Sequence, residues 1–426
     1  MSEEQSSIER AIERALAQGR YSRRGFLRRA GQGALFAGSA LSLPAILAAC
    51  GIKPGTGSSA GPSNTIVPLP SSPAGQVDWA NWPAYIDIDT KGKYPTIEKF
   101  TKETGIKVTY TEAINDNEEF FGKIQPDLAN GNPTGYDIIT MTDWMIERLI
   151  RLGYLQELDK SKIPNFDANV QPLFNDPWYD KGNRYSVAWQ SGITGIGYNP
   201  KLTGRKITSF DDLLDPKFKG KVGMFSEMRD TMSLCLLSLG VKPENATLAD
   251  VEKAKDKLLG PAKAGQFRNF YGNEYYDELA NGNLALTIAW SGDVSQMKLY
   301  DNHDVEFVIP DSGGVLFIDN MCIPKAAEHP LDAHLLMNFW YDPANAAVLE
   351  EYVGYFSPVK GVAEQVTKDA DAAVAAGDQE TADALKVVAA TSYPTAESLK
   401  NVYNYKILKG DEEKSWNEAF NEVVTG

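Results

Sequence analysis

The chain contains 426 residues, of which 43% are hydrophobic and 23% are charged, so it can bury two sizeable cores and is too apolar to stay unfolded. Its formal net charge of −15 argues against a nucleic-acid partner, which requires a basic surface. Such a charge attracts cationic ligands, or it only keeps the protein soluble. Its three cysteines, Cys50, Cys235 and Cys322, have no CxxC spacing, which argues against a zinc ribbon or a thioredoxin-type site.

Residues 1–49 have the pattern of an export signal. Paired arginines in the segment SRRGFLR, residues 22–28, precede an apolar run at 34–49 that is too short to form a stable transmembrane helix. The paired arginines resemble a twin-arginine signal, and the segment LAAC that ends at Cys50 resembles a lipobox. This resemblance implies cleavage before Cys50 and attachment of a lipid anchor to its sulfur.

Residues 50–75 form the next distinct segment. They are rich in Gly, Ser, Pro and Thr and lack apolar periodicity, which is typical of a flexible tether. A tethered domain outside the membrane requires a partner in or near that membrane, so we expect an exported protein that works with a membrane component.

From residue 76 onward, short apolar segments alternate with amphipathic ones. Residues 95–105 predict a helix that Gly105 ends, and residues 106–110 alternate like a strand. Further strands are predicted at 136–141, 185–189, 193–198, 222–225, 284–290 and 305–309, and further helices at 143–152, 230–239, 247–259, 274–281, 332–340 and 343–352. Strands separated by helices predict parallel sheets in an α/β architecture.

Two extended segments, 186–193 and 317–323, are candidate crossings between two lobes. They divide the folded part into a discontinuous first lobe, 76–188 plus 320–426, and a second lobe, 189–319. The inserted lobe of about 130 residues has a normal domain size. We therefore expect each lobe to contain a mixed sheet flanked by helices, with the two crossings acting as hinges.

No catalytic motif is present in the sequence. The three histidines, His303, His329 and His334, do not form a metal-binding helix face, and neither a nucleophile elbow nor a Walker motif occurs. The glycine-rich run 192–197 lies in a strand-like segment, where a close strand crossing is a better interpretation than a nucleotide loop. These observations favour a binding protein over an enzyme, with no metal and no cofactor.

The chain also contains the residue types that suit a polyamine. Such a ligand needs carboxylates spaced like its amines and flat aromatic faces along its methylenes. From Asn81 to Pro358 the sequence resembles the spermidine/putrescine-binding proteins of polyamine ABC importers. The matching segments are 81–85 (NWPAY), 101–108 (TKETGIKV), 136–139 (YDII), 209–220 (SFDDLLDPKFKG), 228–230 (MRD), 289–292 (AWSG) and 313–319 (GGVLFID).

The resemblance implies a two-lobe periplasmic-binding-protein fold of type II-like architecture. It also implies an exported, lipid-anchored monomer in the periplasmic space or on the cell surface. Such a protein binds spermidine or putrescine between its lobes and delivers it to an ABC permease, while a separate subunit hydrolyses ATP. Hinge closure would create the form that docks on the permease.

Carried over by position, the family's site gives ten candidate ligand residues. They are Trp82, Tyr85, Thr142, Trp144, Glu227, Asp230, Trp290, Phe317, Asp319 and Tyr355. The aromatic residues would form walls, and Glu227, Asp230 and Asp319 would hold amines. Several positions depart from the family: Thr142 and Trp144 replace serine and tyrosine, Phe317 replaces tryptophan, and Pro83 removes a polar contact. A family glutamine near the C-terminus has no match, although Asn404 and Tyr405 lie nearby.

Structural interpretations compete with each of these assignments. Trp82 and Trp290 could be core aromatics, and Thr142 could cap the helix that follows it. Asp143, Glu227 and Asp230 could serve helix N-termini, and Asp293 begins a capping-box pattern, DVSQ, that favours a capping role. Asp319 has no evident structural task. The alternative functions are binding of a sugar or another cation, an extracytoplasmic enzyme acting on an amine, and an adhesin.

Overall fold

The structure is a computed structural model that describes residues 68–89, 91–299 and 303–426. The predicted signal at 1–49, the predicted lipid attachment at Cys50 and the tether up to residue 67 lie outside the described residues. None of the helices in the described ranges is long and apolar enough to cross a membrane.

A single mixed β-sheet passes through the molecule, and helices flank it. Its strands are β1 (Gln76–Asn81), β2 (Lys107–Glu112), β3 (Ile138–Thr142), β4 (Ser186–Tyr198), β5 (Val222–Phe225), β6 (Phe267–Tyr271), β7 (Leu286–Trp290), β8 (Glu306–Val308), β9 (Gly314–Cys322) and β10 (Val402–Tyr403). The order is β2-β1-β3-β9-β4-β7-β5-β6, with β10 beside β9 and β8 beside β4.

The α-helices of the described residues are mostly short. They are α1 (Pro95–Thr104), α2 (Asn117–Asn130), α3 (Asp143–Arg151), α4 (Pro164–Asn169), α5 (Pro200–Thr203), α6 (Met228–Ser238), α7 (Leu248–Lys263), α8 (Tyr275–Ala280), α9 (Ser291–Leu299), α10 (Pro330–Trp340), α11 (Pro343–Val353), α12 (Val362–Ala375), α13 (Gln379–Thr391) and α14 (Gly410–Thr425). Helix α1 begins with Pro95 and ends at Gly105, whose positive φ of 77° suits glycine, as the sequence predicts.

The sheet consists of two parallel groups of strands joined by two antiparallel strands. Strands β1, β2 and β3 are parallel to one another, as are β5, β6 and β7. Between the groups, β9 pairs antiparallel with β3 and β4, and β4 pairs antiparallel with β7. The α/β class with a mixed sheet is therefore confirmed, and the strands of both sides belong to one continuous sheet. We call the two groups, with the helices that pack on them, the β1 side and the β5 side.

The two predicted crossings fall in β4 and β9, the strands that connect the two sides. They pair with each other from Ser186 opposite Cys322 to Thr194 opposite Val315, with an irregularity between Ala188 and Gln190. The predicted strands 185–189 and 193–198 are thus parts of one strand, β4. The exact lobe boundaries remain a prediction.

The glycines of β4 allow close packing across the sheet. A side chain at Gly192 would place its Cβ 2.7 Å from the Phe317 ring, and one at Gly195 would lie 2.6 Å from the carbonyl oxygen of Val308. The glycine-rich run therefore serves a close strand crossing, as the sequence analysis favours.

The C-terminal segment reaches both sides of the sheet. Helices α10 and α11 pack on β1 and α1, respectively, whereas α14 packs on α7 and α6 of the β5 side. The predicted division assigns all of 320–426 to the first lobe, and these contacts place the last helix against the other one. This contact brings Tyr405, which precedes α14, to the cavity described below.

Candidate ligand-binding site

A cavity of about 460 Å³, part of it open to solvent, lies where the β1 side, the β5 side and the crossing strands meet. The lining residues come from separate parts of the chain: Trp82, Pro83, Tyr85, Asn117, Thr142, Glu227, Asp230, Asn273, Trp290, Asp293, Phe317, Asp319, Tyr355 and Tyr405. Four of them are carboxylates, and none of these lining residues is Lys, Arg or His. The cavity therefore combines aromatic walls with a surplus of negative charge.

The aromatic rings form a continuous chain of contacts. The ring centroids of Trp82 and Trp290 lie 6.3 Å apart, those of Trp290 and Phe317 lie 6.4 Å apart, and those of Phe317 and Tyr355 lie 6.1 Å apart. Tyr85 continues the chain at 5.1 Å from Tyr355. All four contacts are edge-to-face, which favours a fixed arrangement of ring faces.

Asp319 lies on β9 and accepts hydrogen bonds from the β1 side. The Thr142 hydroxyl donates to its Oδ1 at 2.8 Å, and the Tyr85 hydroxyl donates to its Oδ2 at 2.9 Å. Burial raises the pKa of Asp319 to about 7, although these two hydrogen bonds oppose the shift. Burial and the nearby carboxylate also raise the pKa of Tyr85 well above its usual range, so its hydroxyl remains a donor.

Asp230 and Glu227 lie at the start of α6, on the β5 side. The hydroxyls of Thr194 and Tyr405 both donate to Asp230 Oδ1 at 2.6 Å, while burial raises the pKa of Asp230 to about 6. The backbone N–H of Asn117 donates to Glu227 at 2.6 Å. Burial, followed by the charge of Asp116, raises the pKa of Glu227 well above its usual range.

Asp293 is a buried acceptor for two tyrosines. The Tyr355 hydroxyl donates to Oδ1 and the Tyr275 hydroxyl to Oδ2, each at 2.7 Å. The expected capping role is wrong because α9 begins at Ser291, so Asp293 lies inside its first turn and points into the cavity. Since Tyr275 also accepts the backbone N–H of Trp290 at 3.1 Å, Asp293 fixes the Tyr355 wall and supports the Trp290 wall.

The capping interpretations also fail for two other predicted residues. Thr142 and Glu227 occupy the N-cap positions of α3 and α6, but neither side chain makes a capping hydrogen bond. Their polar atoms instead join the network around the cavity. Local helix chemistry therefore does not explain why a threonine and a glutamate occupy these positions.

Nine of the ten predicted ligand residues line the cavity. Trp144 does not: its ring faces the guanidinium groups of Arg148 and Arg229, at 5.2 and 4.3 Å from their Cζ atoms. We therefore leave Trp144 out of the proposed site. Asp143 is buried next to it and does not line the cavity; its Oδ1 accepts the backbone N–H of Trp144.

Five lining residues were not assigned to the site from the sequence. Asn117 begins α2 and Asn273 lies in the loop before α8, with no recognised motif around either, and Asp293 was assigned to a cap. Tyr405 lies where the family glutamine has no match, and its hydrogen bond to Asp230 gives that position a role. Pro83, noted as a departure, lines the cavity as well.

A possible metal-ligand group lies away from the cavity, at the start of β3 and α10. The ligand atoms of Asp78, Asp137 and His329 lie within 4.8 Å of one another. However, His329 Nδ1 hydrogen-bonds to Asp137 at 2.9 Å, and the backbone N–H groups of Asp78 and His329 donate to the same carboxylate. The group is therefore satisfied as a hydrogen-bonded cluster.

The fold and the cavity define a class of protein: an α/β binding protein with a ligand cleft between two groups of strands. Residues 96–376 match the family model of bacterial extracellular solute-binding proteins, and the chain belongs to that family.

Individual relatives are consistent with this assignment. The chain is 30% identical to "Spermidine/putrescine-binding periplasmic protein 1" of Haemophilus influenzae over 278 residues, which cover 64% of this chain and 75% of the relative. A solved structure from Listeria monocytogenes, described as belonging to a spermidine/putrescine ABC transporter, has a TM-score of 0.69 and 31% identity, covering 82% of this chain and 99% of that one.

A second solved structure supports the same fold. It is the spermidine/putrescine ABC transporter substrate-binding protein of Streptococcus pneumoniae, with a TM-score of 0.63 and 27% identity over 82% of this chain and 98% of that one. The Haemophilus relative is thus named as a binding protein, and the two solved structures are named as parts of ABC transporters.

Proposed function

We propose that this chain is the extracytoplasmic substrate-binding component of an ABC importer and that its ligand is a polyamine such as putrescine or spermidine. The observation that carries the proposal is the lining of the cavity, which contains four carboxylates and six aromatic rings and no lysine, arginine or histidine among its lining residues. Burying this much negative charge is costly unless a cation neutralises it. A slender ligand with several ammonium groups meets that requirement.

The carboxylates would divide between the ends of the ligand. Asp319, held by hydroxyls of the β1 side, would accept one ammonium group, and Glu227 and Asp230 on the β5 side would accept another. Since both neutral donors of Asp230 reach Oδ1, Oδ2 is the oxygen proposed to receive the ligand.

The aromatic rings would line the methylene chain between these ends. Each good cation–π contact contributes roughly 0.5–2 kcal/mol, and a micromolar dissociation constant requires only about 8 kcal/mol in total. Two charge-assisted ends and two or three ring contacts therefore suffice. Binding rather than chemistry is the proposed role, because the named relatives include binding proteins and the cavity groups are held in place by hydrogen bonds.

The proposal also includes export of the chain, its membrane anchor and its delivery of the ligand to a permease. A twin-arginine signal, lipidation at Cys50, a monomeric state and hinge closure at β4 and β9 together describe a tethered receptor that presents its ligand to a permease with a separate ATPase. Labelling of cells with a radioactive fatty acid tests the anchor: wild type should be labelled and Cys50→Ser should not.

Titration calorimetry tests the ligand class. We expect saturable binding of putrescine or spermidine at micromolar concentrations or tighter, and none of a maltodextrin. Because 1,4-butanediol has the length of putrescine without its charges, it serves as a matched control. Saturation by the maltodextrin or the diol, with no response to either polyamine, would refute the proposal.

A further inference from the structure

A cluster of buried arginines lies directly behind the cavity wall. It contains Arg148, Arg229, Glu413 and Trp144, with Glu118 beside them, and we call it the arginine cluster. The side chains of Arg148 and Arg229 are only 7% and 4% exposed. Arg148 donates two hydrogen bonds of 2.7 Å to Glu118 and another to Glu413, and Arg229 donates to the same Glu413 oxygen at 2.8 Å.

Arg229 is bound much as the proposed ligand would be. Its guanidinium lies 4.3 Å from the ring centroid of Trp144, beside the carboxylate of Glu413, and also donates to the carbonyl oxygen of Lys406 at 3.0 Å. An aromatic face and a carboxylate thus bind an internal cation. This arrangement gives Trp144 a role outside the cavity.

The members of the cluster come from both sides of the sheet. Trp144 and Arg148 lie on α3, which packs on β3, whereas Arg229 lies on α6, which packs on β5. Glu413 lies on α14, which packs on α7 of the β5 side. The contacts Arg148–Glu413 and Trp144–Arg229 therefore cross the cleft, and separating the two sides must break both.

The cluster and the cavity share their backbone segments. Four segments each give one face to the cavity and the other to the cluster: Asn117 with Glu118, Thr142 with Trp144, Glu227 and Asp230 with Arg229, and Tyr405 with Lys406. A displacement in the cluster must therefore move the carboxylates that face the ligand.

We propose that the arginine cluster is a latch that holds the cleft closed and positions Glu227 and Asp230, with Glu413 as its central residue. The proposal rests on the proposed function. Glu413 accepts hydrogen bonds from both guanidinium groups through one oxygen, whereas Glu118 pairs with Arg148. Removal of the Glu413 charge therefore leaves two buried cations on opposite sides of the cleft, and of these two carboxylates only Glu118 then offsets them. The attraction across the cleft is then lost, and the repulsion between Arg148 and Arg229, which Glu118 offsets only in part, favours opening.

The test compares Glu413→Gln with Glu418→Gln, an exposed position on the same helix that pairs with Lys414 at 3.8 Å. Stopped-flow tryptophan fluorescence gives the association and dissociation rates of spermidine. We expect Glu413→Gln to dissociate about tenfold faster or more, with association changed less than about threefold, because a latch acts on the closed complex. Glu418→Gln should match wild type, and Glu413→Asp should recover part of the loss.

A second readout separates a latch from a merely structural residue. Spin labels at Lys102→Cys on α1 and Lys253→Cys on α7 report the separation of the two sides, and the native Cys235 and Cys322 are buried. Without ligand, Glu413→Gln should show a larger population of long distances than wild type. Unchanged dissociation and unchanged distances would overturn the latch, even if the variant unfolded more easily.

The two proposals fail differently. If wild type binds no polyamine, the proposed function is wrong, while the distance measurement still tests the latch. If wild type binds spermidine and Glu413→Gln binds it with the same rates and distances, the ligand assignment stands and the latch is wrong.

Discussion

Replacing Asp319 by asparagine separates a ligand carboxylate from a structural one, because the two roles predict opposite signs. Asparagine keeps the size of the side chain but cannot carry charge. If Asp319 holds an ammonium group, its loss removes a charge-assisted hydrogen bond of about 1.5–3 kcal/mol. The dissociation constant for spermidine should then rise roughly 10- to 150-fold.

At high pH, Asp319→Asn should not lower the stability of the unliganded protein, although it weakens ligand binding. The folded pKa of Asp319 is about 7, above the unfolded value of about 3.9. The contribution of the Asp319 carboxyl group to the free energy of unfolding is therefore complete below pH about 3.9 and is lost as the pH rises through about 7. The difference corresponds to an upper limit on the order of 4 kcal/mol. Asparagine does not titrate, so Asp319→Asn should lack this slope and be at least as stable as wild type at pH 8.

Calorimetry with spermidine and urea unfolding at pH 5 and pH 8 measure both quantities. Asp311→Asn, an exposed aspartate in the loop before β9, is the matched control and should change neither. An affinity within threefold of wild type would refute the assignment. So would a loss of stability at pH 8 that accompanies the loss of affinity, since this result describes a carboxylate that the fold requires.

Three further predictions follow from the same geometry. A bound ammonium group should lower the raised pKa values of Asp319 (about 7) and Asp230 (about 6), so polyamine affinity should increase from pH 5.5 to 8. The increase should reach up to about tenfold per pH unit for each proton released. Calorimetry in two buffers of different ionisation enthalpy would show the proton release, and an affinity that does not change with pH would contradict the prediction. Gly292→Ala would place a Cβ 2.4 Å from the Tyr355 ring and should weaken polyamine binding about tenfold by displacing that ring. The control is Gly122→Ala, because a Cβ at this helical glycine would have no atom within 4 Å, and it should not change the affinity. Equal affinities of the two variants would show that binding does not require the Tyr355 wall. Burial lowers the pKa of His329, but the hydrogen bond and the charge of Asp137 outweigh burial and raise that pKa. The stabilisation of the fold by His329 is therefore complete below pH about 6.5 and is lost as the pH rises above the folded pKa. His329→Gln should reduce the fall in the free energy of unfolding between pH 6 and 8, and a fall equal to that of wild type in urea titrations would refute this.

The sequence predicts elements well where local pattern and burial agree. Strand β5 was predicted with its observed bounds, and α10 and α11 were located to within two residues, because each is bounded by Pro or Gly and buried along its length. Helix α2 was missed because it contains Pro126, although Asp116 caps it and Glu118 and Glu119 lie in its first turn. Helix α9 was missed because Val294 and Met297 alone supply its buried apolar side chains, which is too few for a clear period.

The site was predictable mainly where family resemblance supplied the positions. Asp293 shows why local pattern was insufficient: its partners, Tyr275 and Tyr355, lie 18 and 62 residues away in sequence, and a capping motif explained the same letters. Trp144 shows the converse. Its place in the family site suggested a ligand wall, but a cation from the other side of the sheet, Arg229, reaches its ring. Long-range pairings of this kind are fixed by the packing of both α3 and α6 on β9 and have no local signal.

The cavity and the arginine cluster both bind a cation with aromatic rings and carboxylates. The free energy with which the cluster favours closure must therefore stay below the free energy that the polyamine supplies. A binding protein that closes without its ligand presents an empty form to its permease, whereas one that rarely reaches the closed form loses apparent affinity in proportion to the closed fraction. A ligand shifts the two states only by its differential affinity for them. If the cluster favours closure by less than the polyamine does, repulsion among the four cavity carboxylates keeps part of the unliganded population open. The ammonium groups then remove this repulsion and allow Glu413 to hold Arg148 and Arg229 together. The carboxylates that bind the ligand would thus also oppose closure in its absence.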